Sequence, residues 1–346
     1  MERFNIPIVL FIFKRIDTTL RIMERISQIK PQKLYLISDG PRNEDEKEQI
    51  LACRREIESK INWNCEIVQN YAVQNMGVYN RIGLGAKWVF SLEKEAIFLE
   101  DDNLPEITFF EYCRCMLEKY ENDKRVLWVC GTNYLQKYEP VDGASYVFTK
   151  HLMPCGWASW ANKFLEFYDG DMEIVKNNNL LKRLKFEYDD NRLYQQQLNS
   201  VLSEFQKLKY EGKPTSWDFQ MAFTIRANSM YGISPKYNQI ENIGVDSFST
   251  HGGTTLENPM TKRFCSIKSY PLKFPIIHPK TVLSDIDYEI KVGKIILYPL
   301  TMRIKFTIKK FISKILKKIF NINPNESVSK KFKEKFNDYY NKESLK

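Results

Sequence analysis

Paired-cysteine motifs are missing from this chain. Its seven cysteines (Cys53, Cys65, Cys113, Cys115, Cys130, Cys155 and Cys265) form an odd set without a C-x-x-C pair or dense spacing. That excludes a disulfide framework or a zinc module and fits a reducing cytoplasm. Long apolar runs are missing too: the longest near the N-terminus, Ile6 to Phe13, is too short for a signal-peptide core, and no segment reaches the roughly 18 apolar residues of a membrane span. The expectation is a protein made and kept on the cytoplasmic side. Most of the chain also lacks any excess of charge. Between Ile290 and Asn325 stand nine basic residues and no acidic one; without them the bases and the 43 acids are balanced. A nucleic-acid-binding core is therefore not expected.

What remains, 346 residues with 43% hydrophobic and 27% charged, is enough for one large α/β domain with an appendage. Ile6 to Phe13 is a continuous apolar, β-branched run, the signature of a strand buried on both faces of a parallel sheet. A polar helix pattern follows from Thr18 to about Lys30 and stops at Pro31. Lys33 to Ser38 reads as a second strand closed by Asp39-Gly40-Pro41. Helix Glu44 to Lys60, a strand around Cys65 to Gln69, a helix about Ile82 to Leu92 and a strand Ala96 to Leu99 complete β-α-β-α-β-α-β. Short connections of this kind predict a doubly wound, mostly parallel sheet, with the ligand beyond the carboxyl ends of its strands.

Those ends carry chemistry. The first closes in Lys14-Arg15-Ile16-Asp17, the second in Asp39-Gly40 and the fourth in Glu100-Asp101-Asp102. Three adjacent acids repel and raise one another's pKa, a cost that a hard divalent ion shared with waters and substrate phosphates relieves. A solvated acidic turn capping the helix that starts near Pro105 is the other reading.

The stretch IFLEDDNLPEITFFEY resembles the metal-site segment of GT-A glycosyltransferases of the N-acetylglucosaminyltransferase I type. It is closer to their bacterial relatives, sometimes labelled haemolytic-protein-like, which serve in surface polysaccharide synthesis. IPIVLFIFKRID, LYLISDGPR, QNMGVYNRIGLG, MPCGWASW, SWDFQMAF and PKYNQIENIGVDSFSTHGG resemble further blocks of that family in its order, over roughly Ile6 to His278. The resemblance implies a Rossmann-like GT-A domain over residues 1–285 and an inverting transfer from a UDP-sugar, such as UDP-N-acetylglucosamine, to a glycan or lipid-linked glycan; the strongly polar, helical stretch 165–212 reads as an insertion near the acceptor site or as a solvated surface excursion.

Residue by residue, the resemblance makes Asp102 the ligand of Mn2+ or Mg2+, with Glu100 and Asp101 facing sugar and ribose. It places Arg15 and Asp39 on the nucleotide, Asp39 at the uracil edge, and Arg81 in the nucleotide-side loop. As a turn former before Gly40-Pro41, Asp39 has a second reading. Trp217-Asp218 resembles the W-D motif that supplies the general base, and an inverting transfer needs one carboxylate at the acceptor hydroxyl. The departure is Phe219, where the eukaryotic enzyme has a second acid; a helix-N-terminal carboxylate is the competing role for Asp218. Thr250-His251-Gly252 resembles the S-H-G loop over the donor diphosphate, so His251 is either a metal or phosphate contact or a surface histidine. Gly156, Trp157 and Trp160 read as core packing beside the acceptor.

Residues 286–346 form the basic tail. Its apolar positions Ile304, Ile308, Phe311, Ile312, Ile315, Leu316, Ile319 and Phe320 fall on one helical face, backed by lysine. Such a helix either lies in an anionic membrane surface, placing the protein peripherally at the inner face of the cell membrane, or packs on the domain or a second subunit. Two rival functions stand beside the glycosyltransferase. A sugar-phosphate nucleotidyltransferase needs a glycine-rich phosphate loop after the first strand, and FKRIDTT has no glycine. A membrane-associated scaffold without catalysis is the other.

Overall fold

The computed structural model describes residues 4–245 and 255–322. The chain divides into two units, Met1–Ile296 and Leu297–Lys346.

Among the described residues the first unit holds ten strands: β1 Ile8–Ile12, β2 Lys33–Ser38, β3 Glu66–Tyr71, β4 Glu95–Glu100, β5 Asn103–Pro105, β6 Val126–Cys130, β7 Tyr146–Thr149, β8 Trp157–Trp160, β9 Tyr231–Pro235 and β10 Ile240–Asn242. Helices α1 Ile16–Ile29, α2 Glu44–Ser59, α3 Gly85–Phe90, α4 Thr108–Tyr120, α5 Ala161–Phe167, α6 Asn178–Leu184, α7 Asn191–Glu211, α8 Phe219–Ala227, α9 Pro259–Phe264 and α10 Ile286–Ile296 connect them. The second unit contributes α11, Leu300–Ile319.

Eight strands make one sheet in the order β3-β2-β1-β4-β8-β6-β9-β7, and β5 pairs with β10 in a small antiparallel ribbon. Neighbours among β3, β2, β1 and β4 are parallel, as are β6 and β9; β8 runs antiparallel between β4 and β6, and β7 antiparallel at the edge. This is the doubly wound, mostly parallel, Rossmann-like arrangement predicted from the order of elements. The expected strand Lys33–Ser38 forms over those residues, and β1 is buried at every position, as a strand covered by helices on both faces must be. The expected helix Ile82–Leu92 instead begins as a π-helical turn, Tyr79–Leu84, running into α3.

The MPCGWASW block supplies β8, and its packing explains its composition. Trp157 stacks at 4.0 Å on Phe98 of β4 and at 4.1 Å on Trp128 of β6, tying both neighbours through their side chains as well as their backbones. The polar stretch after Phe164 is helical as expected (α5 to α7), and Leu193, Tyr194 and Val201 turn its buried face inward.

Residues Ile286–Ile296, grouped with the basic tail in the sequence, pack in the first unit as α10. Tyr288 and Val292 are fully buried there. Glu289, also buried, accepts the Lys150 backbone N–H at 2.6 Å and a hydrogen bond from the Thr149 hydroxyl; buried His151 contacts the Glu289 carbonyl through Nε2 at 2.9 Å. A strongly basic neighbourhood hid a helix whose inner face is held by one carboxylate.

Candidate active site

The carboxyl ends of β1, β2 and β4 open into a cleft of about 680 Å3. Arg15, Asp39, Arg81, Glu100, Asp101, Asp102 and Asp218 all line it. His251 lies outside the described residues.

The register of the sheet brings the first cluster together. Phe11 of β1 is paired with Glu100 of β4, so the residues beyond each strand end meet. Arg15, at the N-cap of α1, donates from one Nη to Asp101 Oδ1 at 3.1 Å and to Asp102 Oδ2 at 3.0 Å. Asp101 also accepts the Phe13 backbone N–H at 3.2 Å. All three side chains are mostly buried, 12% exposed for Arg15, 13% for Asp101 and 18% for Asp102, so little solvent screens them.

One guanidinium faces three carboxylates. Glu100 is held well above the ordinary carboxylate range by burial, then by the charges of Asp102, Asp101 and Asp218. Asp101 is raised by burial and Asp102, with Arg15 opposing. Carboxylates raised by burial and by one another are relieved by a nearby cation, for which a hard divalent ion is suited. Among the described residues no group of three or more His, Cys, Asp or Glu side chains could hold a metal by itself. Asp102 is the side chain that would hold such a cation, with substrate oxygens and water completing the sphere.

Residues that the motifs did not single out place Asp102. Asn103, buried, donates from its amide to Asp102 Oδ1 at 2.6 Å and accepts the Gly156 N–H at 2.8 Å. The chain leaving β10 lies against the same residue: the Ile243 N–H donates to the Asp102 backbone carbonyl at 2.8 Å. A Cβ on Gly244 would sit 2.3 Å from Asp102 Oδ2, so only glycine fits beside that carboxylate.

Asp39 does more than start a turn. Its Oδ1 accepts the Gly40 and Met76 N–H groups, both at 2.8 Å, and its Oδ2 accepts the Asn75 side chain at 2.9 Å and the Gly77 N–H at 3.0 Å. The carboxylate expected at a uracil edge is here filled by the protein's own donors, and it closes the segment after β3 onto the turn after β2. Arg81 is 7% exposed; its Nη2 donates to the Asn70 carbonyl and, at 2.9 Å, to Asn70 Oδ1, while its Nε has no hydrogen-bond partner among the described residues. Burial lowers its pKa.

Asp218 stands on another wall, at the N-cap of α8, yet its side chain makes no capping hydrogen bond. Its Oδ1 accepts from the Ser216 hydroxyl. A cap would turn the carboxylate back onto the helix; the serine holds it on the loop side. Trp217 beside it is buried 5.5 Å from Trp157, which fixes the loop to the sheet. Phe219, which follows Asp218, is 38% exposed and lines the cleft.

The loop has a further support invisible in the motif. Glu204 of α7, 3% exposed, accepts the backbone N–H groups of Thr215 (2.5 Å) and Ser216 (3.1 Å), the Thr215 hydroxyl (3.0 Å) and the Lys207 ammonium (2.5 Å). Burial raises its pKa, but these bonds outweigh burial and hold it below the ordinary carboxylate value. The insertion thus grips the segment that carries Asp218. A buried glutamate eleven residues before a threonine has no local signature, so the sequence could not flag it.

No protein-family model and no curated protein matches the chain. Among solved structures, it is similar to the mannosyltransferase PcManGT from Pyrobaculum calidifontis in complex with GDP-Man and Mn2+, at 10% identity over 66% of this chain and 70% of that one, with a TM-score of 0.37. It is similar to a UDP-glucose pyrophosphorylase complexed with UDP-glucose at 9% identity, covering 69% and 94% of the two chains, TM-score 0.36. It is also similar to S. aureus TarS 1-349 at 11% identity, covering 67% and 60%, TM-score 0.33. Likeness this distant carries nothing about activity.

Proposed function

We propose that the cleft is the active site of a metal-dependent, inverting glycosyltransferase that moves a hexosyl or N-acetylhexosaminyl group from a UDP-sugar to a glycan hydroxyl in bacterial surface polysaccharide synthesis. The observation that carries this reading is that Asp218, more than a hundred residues beyond Asp102, lines the same cleft as the acid triplet and contributes to the field at Glu100.

Inverting transfer needs a carboxylate on the acceptor side and charge compensation on the leaving-group side. Asp218 takes the proton of the acceptor hydroxyl as its oxygen bonds to the anomeric carbon and the bond to the diphosphate breaks. Ser216 orients that carboxylate, and Glu204 holds Ser216. Asp102 would hold Mn2+ or Mg2+, which when bound would offset the charge of the departing diphosphate. Arg15 supplies a second positive charge there while keeping Asp101 and Asp102 in place. Phe219 takes the position of the second acid, which leaves Asp218 as the base. A nucleotidyltransferase would call for a glycine-rich phosphate loop after the first strand, and Phe13–Arg15, between β1 and α1, contains no glycine.

The test is release of UDP from a panel of UDP-sugars by the full chain, with manganese and with chelator. Asp102→Ala should lose metal-dependent UDP binding. Asp218→Asn should keep that binding and lose turnover by about 10²- to 10⁴-fold, the usual contribution of a general base. The absence of both metal-dependent UDP binding and turnover in the unaltered protein would reject the reading.

A further inference from the structure

Helix α11 has no buried residue. Ile304, Ile308, Phe311, Ile312, Ile315 and Ile319 are 42–66% exposed, and at 100° per residue they occupy one arc of about 100°. Lys305 and Lys309 flank one edge of that arc, Lys314 and Lys318 the other, and Arg303, Lys310 and Lys317 lie opposite. No acid occurs between Ile290 and Asn325.

The charge pattern chooses the occupant of this face. A second copy pressed onto the stripe would bring two lysine-flanked edges together with no acid to pair them. Nucleic acid matches the lysines but offers nothing to a row of isoleucines. An anionic bilayer surface matches both, because the stripe enters the acyl boundary while lysines on either edge extend to the phosphates. No helix among the described residues is long and apolar enough to cross a membrane, so the fitting geometry is in-plane. We infer that α11 is a docking helix that lies in the surface of an anionic lipid bilayer.

This inference stands without the catalytic reading.

The experiment is flotation of the full chain with vesicles of phosphatidylcholine alone and of phosphatidylcholine with phosphatidylglycerol, at low and high salt. Binding to the anionic vesicles, weakened by salt, is expected. Phe311→Glu with Ile315→Glu should abolish it while leaving metal-dependent UDP binding unchanged. Replacing Lys305, Lys309 and Lys314 by Gln should weaken it roughly fivefold per lysine, about 100-fold in all. No binding to anionic vesicles would overturn the inference. So would binding that survives the glutamate substitutions, or substitutions that dissociate a homodimer and leave vesicle binding intact. Vesicle binding by a protein without UDP-sugar turnover would reject the catalytic reading alone.

Discussion

Replacing Glu204 by alanine tests whether α7 holds the loop of Asp218. The change removes the acceptor of two backbone amides, one hydroxyl and one ammonium. Thr215 and Lys207 reach solvent and can recover much of what they lose, but Ser216 is buried and its N–H is left without an acceptor. A hydrogen bond to a charged group contributes about 1.5–3 kcal/mol, and a buried orphaned donor costs a similar amount, so Glu204→Ala should destabilise by about 3 kcal/mol. Glu204→Gln keeps an acceptor for Thr215 and Ser216 and gives up chiefly the Lys207 ion pair, a loss of about 1 kcal/mol. Urea unfolding measures both, and amide exchange at Thr215 and Ser216 reports the loop directly. The pH dependence has a definite sign: with its folded pKa depressed, Glu204 contributes stability that is complete above the ordinary carboxylate pKa and is lost as pH falls through the folded value. An alanine variant with unchanged amide protection and a loss below about 0.5 kcal/mol would refute the clamp, since that is the scale of a neutral surface change.

Gly244→Ala forces the Asp102 carboxylate aside, and a displacement of about 1 Å at a reacting centre can cost 10²-fold; metal-dependent UDP affinity should fall at least about tenfold with the fold intact, and an unchanged affinity measured by calorimetry would contradict the crowding. Lys163, buried, donates its ammonium to the carbonyls of Tyr120 (2.6 Å), Asp123 (2.9 Å) and Val126 (2.9 Å), and Lys163→Met should lower stability by about 3 kcal/mol in urea, a loss under about 1 kcal/mol counting against the three-way cap. Burial lowers the His151 pKa, with Glu289 opposing and Arg226 adding to the fall, so the folded state resists a proton that the unfolded chain accepts near pH 6.5. Melting temperature should therefore drop as pH falls below about 6.5, more in the unaltered chain than in His151→Gln, and parallel profiles would exclude this histidine as the source.

The first half of the sheet was legible because its signals are local. A run such as KLYLIS, bounded by Pro31 and Asp39-Gly40, states its own limits, and the acid triplet declares itself by the cost of three adjacent charges. The W-D pair pointed to Asp218, though not to the side it faces, which Ser216 decides. Long-range pairings were hidden. Nothing in WASW says that it enters the sheet antiparallel between β4 and β6, and nothing in the three residues of β5 says that they pair with β10. Composition misled at α10, where lysines drew Ile286–Ile296 into the tail although Tyr288, Glu289 and Val292 face inward. The same holds for Asp39: a turn-forming aspartate is easy to recognise, but four donors converging from Gly40 and Asn75–Gly77 require the fold.

Strand β8 also decides how the cleft can move. It is hydrogen-bonded to β4 on one side and β6 on the other, and the Phe98–Trp157–Trp128 stack bolts the three strands face to face. Among the described residues, β4, β8 and β6 thus form one continuous plate behind the cleft. Any change of shape on binding nucleotide is therefore expected at the rim: the turn after β2, the segment held by Asp39, and the loop gripped by Glu204. Nucleotide should accordingly slow amide exchange at those rim segments and leave the radius of gyration unchanged. A measurable contraction in scattering would mean that the plate flexes.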